Sequence, residues 1–292
     1  MRKKDILAFI LIIGITILVI ALLFNVFTSS PKIDSFSSIG GQRVGVIELN
    51  GPIYKSRPFV DNLKKLLDTP SVKALVVRID SPGGTVGASQ EISNAVKRAS
   101  EKIPVVVSMG DIAASGGYYA ALGADIIMAN PATTTGSIGV IAQVPAFYEL
   151  MNRIGISQET IKSGEFKDTG NPFRPMTKKE RKYLQEWVDD TYEQFLEKVA
   201  EERELPIEEV RKIADGRVFT GRQALQYGLV DTLGDWHDAI LTAGQLAGIK
   251  GEPMILEKKR RKITIMDILF GDLEEAISHL TGNRVELKYI AF

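Results

Sequence analysis

The sequence predicts an α/β domain with a largely parallel sheet, standing behind a single membrane-spanning helix. Three observations carry this. An uncharged apolar run fills residues 6–27 directly after the basic start MRKK. From residue 43 onward, apolar strand-like runs alternate with glycine turns and amphipathic helices, the rhythm of a right-handed parallel stack. The chain beyond residue 42 is about 250 residues long, enough for one substantial domain with added helices.

The first element is the anchor. Residues 6–27 reach about 33 Å at 1.5 Å each, against a bilayer core of about 30 Å. A secretory signal has a shorter apolar stretch and a small-residue cleavage site, and "NVFTSSPKID" offers no such site, so an uncleaved helix is expected. A lone buried helix is the alternative, which its uniformly apolar faces argue against. Arg2, Lys3 and Lys4 keep residues 1–5 cytoplasmic under the positive-inside rule, and everything after Phe27 then lies outside the cell membrane. Residues 28–42, rich in Ser, Gly and Pro, read as a linker.

"RVGVIELNG" (43–51) is an apolar strand ending at Gly51, and "PFVDNLKKLLDT" repeats Phe59, Leu63 and Leu66/Leu67 at helical spacing. "VKALVVRID" (72–80) is a second buried strand closed by "SPGG". "EISNAVKRAS" puts Ile92, Val96 and Ala99 on one helical face. "IPVVVSM" (103–109) is a third strand, and the small-residue stretch around Ser115 starts a helix after it. "ADIIMAN" is a fourth strand and "TGSIGVIAQV" a fifth extended segment. A helical extension is expected over about 177–215. Thr177 and Glu180 have the spacing of a capping box, and Leu184, Trp187/Val188, Phe195 and Val199 form one apolar stripe. "GRVFTGRQALQYGLVD" holds a short helix stopped by Gly228. The domain closes near residue 250, and in the segment 251–292 the tail "ELKYIAF" reads as an edge strand, a docked peptide or disorder.

Composition excludes several classes. With 36 basic and 36 acidic side chains the net charge is zero, so no nucleic-acid partner is expected. There is no cysteine, which excludes disulfides, thiolate zinc sites and cysteine nucleophiles. Neither histidine, His237 or His279, lies in a cluster with ligand spacing, so no metal and no cofactor is expected.

Parallel strands gather active sites at their carboxyl ends. Two glycine turns sit there, "DSPGGTV" (80–86) and "AASGGYY" (113–119). Gly83 and Gly84 let backbone approach a substrate closely, and their amides can face a developing oxyanion, although such a motif is more often a plain turn. A serine in the position of Ser115 is likewise more often a helix N-cap than a nucleophile. With no histidine nearby, a lysine can serve as base for Ser115 if burial disfavours its charge, although most lysines are simply solvated. A lysine near its ordinary 10.4 must drop to about 7–8 to act as a base, a cost of about 4 kcal/mol that a water-poor pocket can supply. "TIKSGEFKDTGNPF" (160–173) offers Lys162 and Lys167.

Taken in order, "RIDSPGG", "ASGGYY", "ADIIMANPATTTGSIGV", "SGEFKD" and "GRVFTGRQALQYGLVDTLGD" resemble the signal peptide peptidase A family, in its short single-domain form, across residues 43–250. The resemblance implies a ClpP/crotonase-like core of repeated β-β-α units with added helices, and a serine protease built on a Ser–Lys dyad. It makes Ser115 the nucleophile and Lys167, rather than Lys162, the base. Ser137 of "TGSIG" matches a position that orients the lysine, a turn serine being the plain alternative. Backbone amides of Gly83, Gly84 and Gly116 are the oxyanion-hole candidates. The substrates it implies are hydrophobic peptides, the signal-peptide remnants left in the membrane after secretion. It also implies a homo-oligomer, ring- or bowl-shaped, with Lys167 acting either within its own chain or on Ser115 of the next copy. A crotonase-like acyl-CoA enzyme and a catalytically silent membrane scaffold of the same fold are the competing readings.

Overall fold

The computed structural model describes residues 41–257 and 287–290. The anchor expected at 6–27, its linker and most of the segment 251–292 therefore lie outside the described residues. Among the described residues no helix is long and apolar enough to cross a membrane.

Strand β1 (Arg43–Asn50), helix α1 (Arg57–Leu67), strand β2 (Val72–Ser81), the short β3 (Gly83–Thr85) and helix α2 (Val86–Ser100) follow the expected alternation. Strand β4 (Val105–Ala114) turns at Ser115 into α3 (Gly116–Ala121). Next come β5 (Ile126–Ala129), β6 (Thr134–Gly136), β7 (Ile141–Ala142) and α4 (Tyr148–Arg153). An irregular stretch leads into the long α5 (Lys178–Glu202), followed by α6 (Ile207–Ile213), β8 (Val218–Thr220) and α7 (Gly221–Gln226). The remaining elements are β9 (Thr232–Leu233), α8 (Trp236–Leu246), β10 (Met254–Glu257) and β11 (Leu287–Ile290).

The main sheet runs β10-β1-β2-β4-β5-β9 with every neighbouring pair parallel. Strand β6 pairs in parallel with the carboxyl end of β4, and β8 joins it antiparallel. The fold is thus a mixed α/β one, as the alternation of strands and helices predicts. A parallel sheet needs cover on both faces, and the pleat divides its apolar residues accordingly. Leu75, Val77 and Ile79 of β2 join Val105, Val107 and Met109 of β4 in the larger core, with α1, α2 and α3. The alternate residues Ala74, Val76 and Val106 face the other way, onto Ala239, Ile240 and Ala243 of α8. The Ile92, Val96 and Ala99 face of α2 is fully buried, as its spacing predicts. Each such aliphatic side chain contributes about 1.5–3 kcal/mol.

Three expectations change. "TGSIGVIAQV" does not run as one extended segment: Gly136 and Ser137 take φ of 74° and 51° in succession, and the chain turns before β7. The α5 stripe is buried at Leu184, Phe195 and Val199 but opens at Trp187, which is 39 % exposed at the rim of a cleft. The tail strand β11 is no sheet edge. It is the middle strand of a second, antiparallel sheet, β3-β11-β7.

Candidate active site

The site is built where β4 ends. Its last residues are held by β6 through the parallel ladder and by the Thr135 hydroxyl, which donates to the Ala113 carbonyl at 2.7 Å. The Ser115 amide donates to the Gly136 carbonyl, also at 2.7 Å. Ser115 itself takes φ 53° and ψ −116°, a conformation that costs a non-glycine residue about 1–3 kcal/mol and persists only when the surroundings over-determine it. Those surroundings include Tyr118, fully buried, whose hydroxyl donates to the Leu229 carbonyl at 2.9 Å. Burial pushes the Tyr118 phenol far above its usual range, so it stays a neutral donor. Tyr119 packs on Phe195 of α5 with ring centroids 5.0 Å apart.

Ser115 stands at the N-cap position of α3, yet its side chain caps nothing. The cap reading fails because the hydroxyl accepts from none of the first helical amides. Its Oγ is buried and has no hydrogen-bond partner among the described residues. Such a group normally costs about 1–3 kcal/mol, and a buried, unpaired hydroxyl on a strained strand-to-helix corner matches the geometry of a nucleophile elbow.

The glycines of "SPGG" separate into two roles that the sequence left together. The Gly83 amide donates to Ser81 Oγ at 3.1 Å. The Gly83 carbonyl accepts from the Ile53 amide, and the Thr85 amide donates to the Ile53 carbonyl. By the alternation of a strand, the N–H and C=O of Gly84 therefore face the opposite side, where β11 pairs with Gly84. Gly84 must be glycine for a separate reason, because a Cβ there would meet the Ile53 carbonyl oxygen at 1.9 Å. Gly116 opens α3 with no side-chain cap over the first turn, which leaves helix-start amides beside Ser115. Ser81, which fixes the direction of Gly83, escaped the sequence reading although it lies inside the quoted motif.

A groove runs past this corner. β3 forms one bank and β7 the other, and β11 lies between them, antiparallel to both. Beside the β3 bank a cleft of about 1000 Å³ is lined by Tyr54, Pro58, Val86 and Trp187. Beside the β7 bank a second cleft of about 520 Å³ is lined by Ser137, Ile141, Val188 and Tyr192. Ser137, at 7 % exposure, is thus a wall of the groove region.

The lysines lie elsewhere in the chain. Lys162 is committed: its ammonium contacts Asp168 Oδ1 at 2.5 Å and the Glu165 carbonyl at 2.8 Å. Lys167 is exposed on a run of turns, its amide donating to the Gly164 carbonyl at 3.2 Å. The structure of one chain does not bring Lys167 into hydrogen-bond contact with Ser115, whose Oγ has no partner among the described residues. The segment that precedes Lys167 in the chain carries exposed apolar side chains. Helix α4 has no buried residue, and Leu150, Ile154 and Ile156 are each more than half exposed, with Ile161 at 96 %. Among the described residues no group of His, Asp and Glu is arranged to hold a metal ion.

A strained, buried serine on a corner beside a groove that holds an extended backbone is the equipment of a peptidase. Comparison with known proteins agrees. The model of peptidase family S49 matches residues 97–250. A Synechocystis sp. protein named "Putative protease slr0021" is 45% identical over 88% of this chain and 89% of its own length. "Putative protease MJ0651" of Methanocaldococcus jannaschii is 37% identical over 88% of this chain and 86% of its own. "Serine protease SPPA, chloroplastic" of Arabidopsis thaliana is 34% identical over 78% of this chain and 34% of its own. The chain belongs to peptidase family S49.

Proposed function

We propose that this protein is a membrane-anchored serine endopeptidase with a Ser115–Lys167 dyad, acting on hydrophobic peptides such as the signal-peptide remnants left in a membrane after secretion. The observation that carries the reading is Ser115 itself, strained, buried and unpaired at the end of β4, beside a groove that accepts a β-strand. Substrate binds as β11 does, by main-chain pairing with β3 and β7, a mode in which backbone bonds give affinity and flanking clefts read side chains. The ClpP/crotonase-like assignment of the core belongs to this reading. So does the single-pass anchor at 6–27 with its cytoplasmic N-terminus.

Neutral Lys167 takes the Ser115 hydroxyl proton while Oγ bonds to the scissile carbonyl carbon. The carbonyl electron pair moves to oxygen, which the amides of Gly84 and Gly116 receive; the Gly83 amide is already spent on Ser81. The lysine ammonium then gives its proton to the departing amine as the C–N bond breaks, and water, deprotonated by the same lysine, cleaves the acyl-enzyme. Ser137 orients the lysine amine in this reading, which its place on the wall of the cleft beside β7 supports.

Lys167 reaches Ser115 from a second copy of the chain. The unpaired Ser115 Oγ, the exposed Lys167 and the exposed apolar side chains of the segment before it support a homo-oligomer with shared sites. Peptide cleavage by wild type, Ser115→Ala and Lys167→Ala, measured separately and as a co-assembled mixture of the two variants, tests both parts. Each variant alone should be inactive and the mixture active. Full activity of either variant refutes the dyad, and an inactive mixture refutes sharing between copies.

A further inference from the structure

Lys167 sits in an irregular stretch whose neighbouring residues 158–166 are all exposed, with Phe166 resting on Tyr183 of α5 at 5.2 Å between ring centroids. On the other side of Lys167, one residue away, lies a polar knot. All five N–H groups of the Arg174 guanidinium are engaged. Nε donates to Asp168 Oδ2 at 2.8 Å and Nη2 to the Asp168 carbonyl at 3.2 Å. Nη1 donates to the Pro175 carbonyl at 3.1 Å and to Glu180 Oε2 at 2.9 Å, while Nη2 also contacts Glu180 Oε1. Asp168 holds Lys162 through its other oxygen. Glu180, its side chain 2 % exposed, closes the capping box of α5 by accepting from the Thr177 amide at 2.9 Å. The Arg174 guanidinium holds both carboxyl groups well below the usual carboxylate range, so the knot stays charged through ordinary pH.

The chain from Lys162 to Arg174 is thereby tied to the first turn of a 25-residue helix packed on the core. An arginine with every donor in use fixes orientation as well as distance, since its donors form a planar fork. Asp168 presents both a side-chain oxygen and its backbone carbonyl to that fork, which fixes the backbone at the residue next to Lys167.

We propose that Asp168 and Arg174 are positioning residues for Lys167, a clamp that presents the base to Ser115 at the right place and angle. The clamp rests on the assignment of Lys167 as base. Its contribution is geometric: a misplacement of about 1 Å can cost about a hundredfold in rate.

The test is Asp168→Asn, which keeps the shape of the side chain and leaves the Arg174–Glu180 pair in place. The expected result is a ten- to hundredfold fall in kcat on a peptide substrate, KM within twofold of wild type, and an unchanged assembly size. Arg174→Lys keeps the charge but cannot fill five positions, and it should reproduce the loss of kcat. A kcat for Asp168→Asn within twofold of wild type overturns the clamp. A loss matched by a rise in KM, or by a broken assembly, overturns it as well, because it marks a general structural role. Lys167→Ala measured alongside separates the two readings. If that variant is fully active, the lysine assignment fails; if it is inactive while Asp168→Asn behaves as wild type, the clamp alone fails.

Discussion

Gly117→Ala tests whether the corner at Ser115 is held by close backbone packing. A Cβ at Gly117 would lie 2.6 Å from the Ser81 carbonyl oxygen, with the Ser81 carbonyl carbon and Cβ both at 3.4 Å. Both sides of this contact are backbone, the first turn of α3 and the end of β2, so no flexible side chain can give way. Restoring an ordinary contact of about 3.4 Å requires about 0.8 Å of movement. Alanine in a helix is worth about 0.8–1.0 kcal/mol over glycine, whereas overpacking of this kind costs about 1–3 kcal/mol. The clash outweighs the helix gain over most of that range, and a net destabilisation of up to about 2 kcal/mol is expected. Ser115 lies two residues away and must move with the corner, so kcat should fall by about a hundredfold. The assay is kcat on a fluorogenic peptide with thermal unfolding in parallel. Gly87→Ala, where an added Cβ meets nothing within 4 Å, is the control and should be neutral or slightly stabilising. Activity of Gly117→Ala within threefold of wild type, at an unchanged midpoint, would refute the reasoning.

The groove, the pH response and the packing of α3 give further expectations. Removing residues 287–292 takes β11 out from between β3 and β7 and should raise peptide turnover several-fold; intact mass after incubation, compared with Ser115→Ala, shows whether the tail is also cut. The Glu180 carboxyl is lowered from 4.5 to about 2, chiefly by the Arg174 guanidinium. Its stabilisation, at most about 3 kcal/mol, is complete above 4.5 and lost as pH falls toward 2. The difference in melting temperature between wild type and Glu180→Gln should shrink across that window. Tyr118→Phe leaves the Leu229 carbonyl unpaired in the core and should cost about 1–3 kcal/mol in denaturant unfolding.

What the sequence determined by itself was everything local. Near-continuous apolar runs gave the buried parallel strands β2 and β4, and the spacing of Phe59, Leu63 and Leu66 gave the inward face of α1. The Thr177–Glu180 capping box was legible because its partners are three residues apart. The corner at Ser115 was visible as a serine among small residues after a strand, and so was the family. Tertiary structure decided what depends on contacts between distant segments. Ser115 reads as a helix cap until the Gly136 carbonyl, from another strand, is seen holding its amide and its hydroxyl is found unpaired. Gly83 and Gly84 look equivalent until Ile53 claims one side of β3 and leaves Gly84 facing the groove. The tail is ambiguous until the 287–290 strand is found between segments about 150 and 200 residues earlier, a pairing no periodicity encodes. Arg174 carries no signal in its own neighbourhood, because its role comes from five donors meeting Asp168, Pro175 and Glu180 together once the chain has folded back on α5.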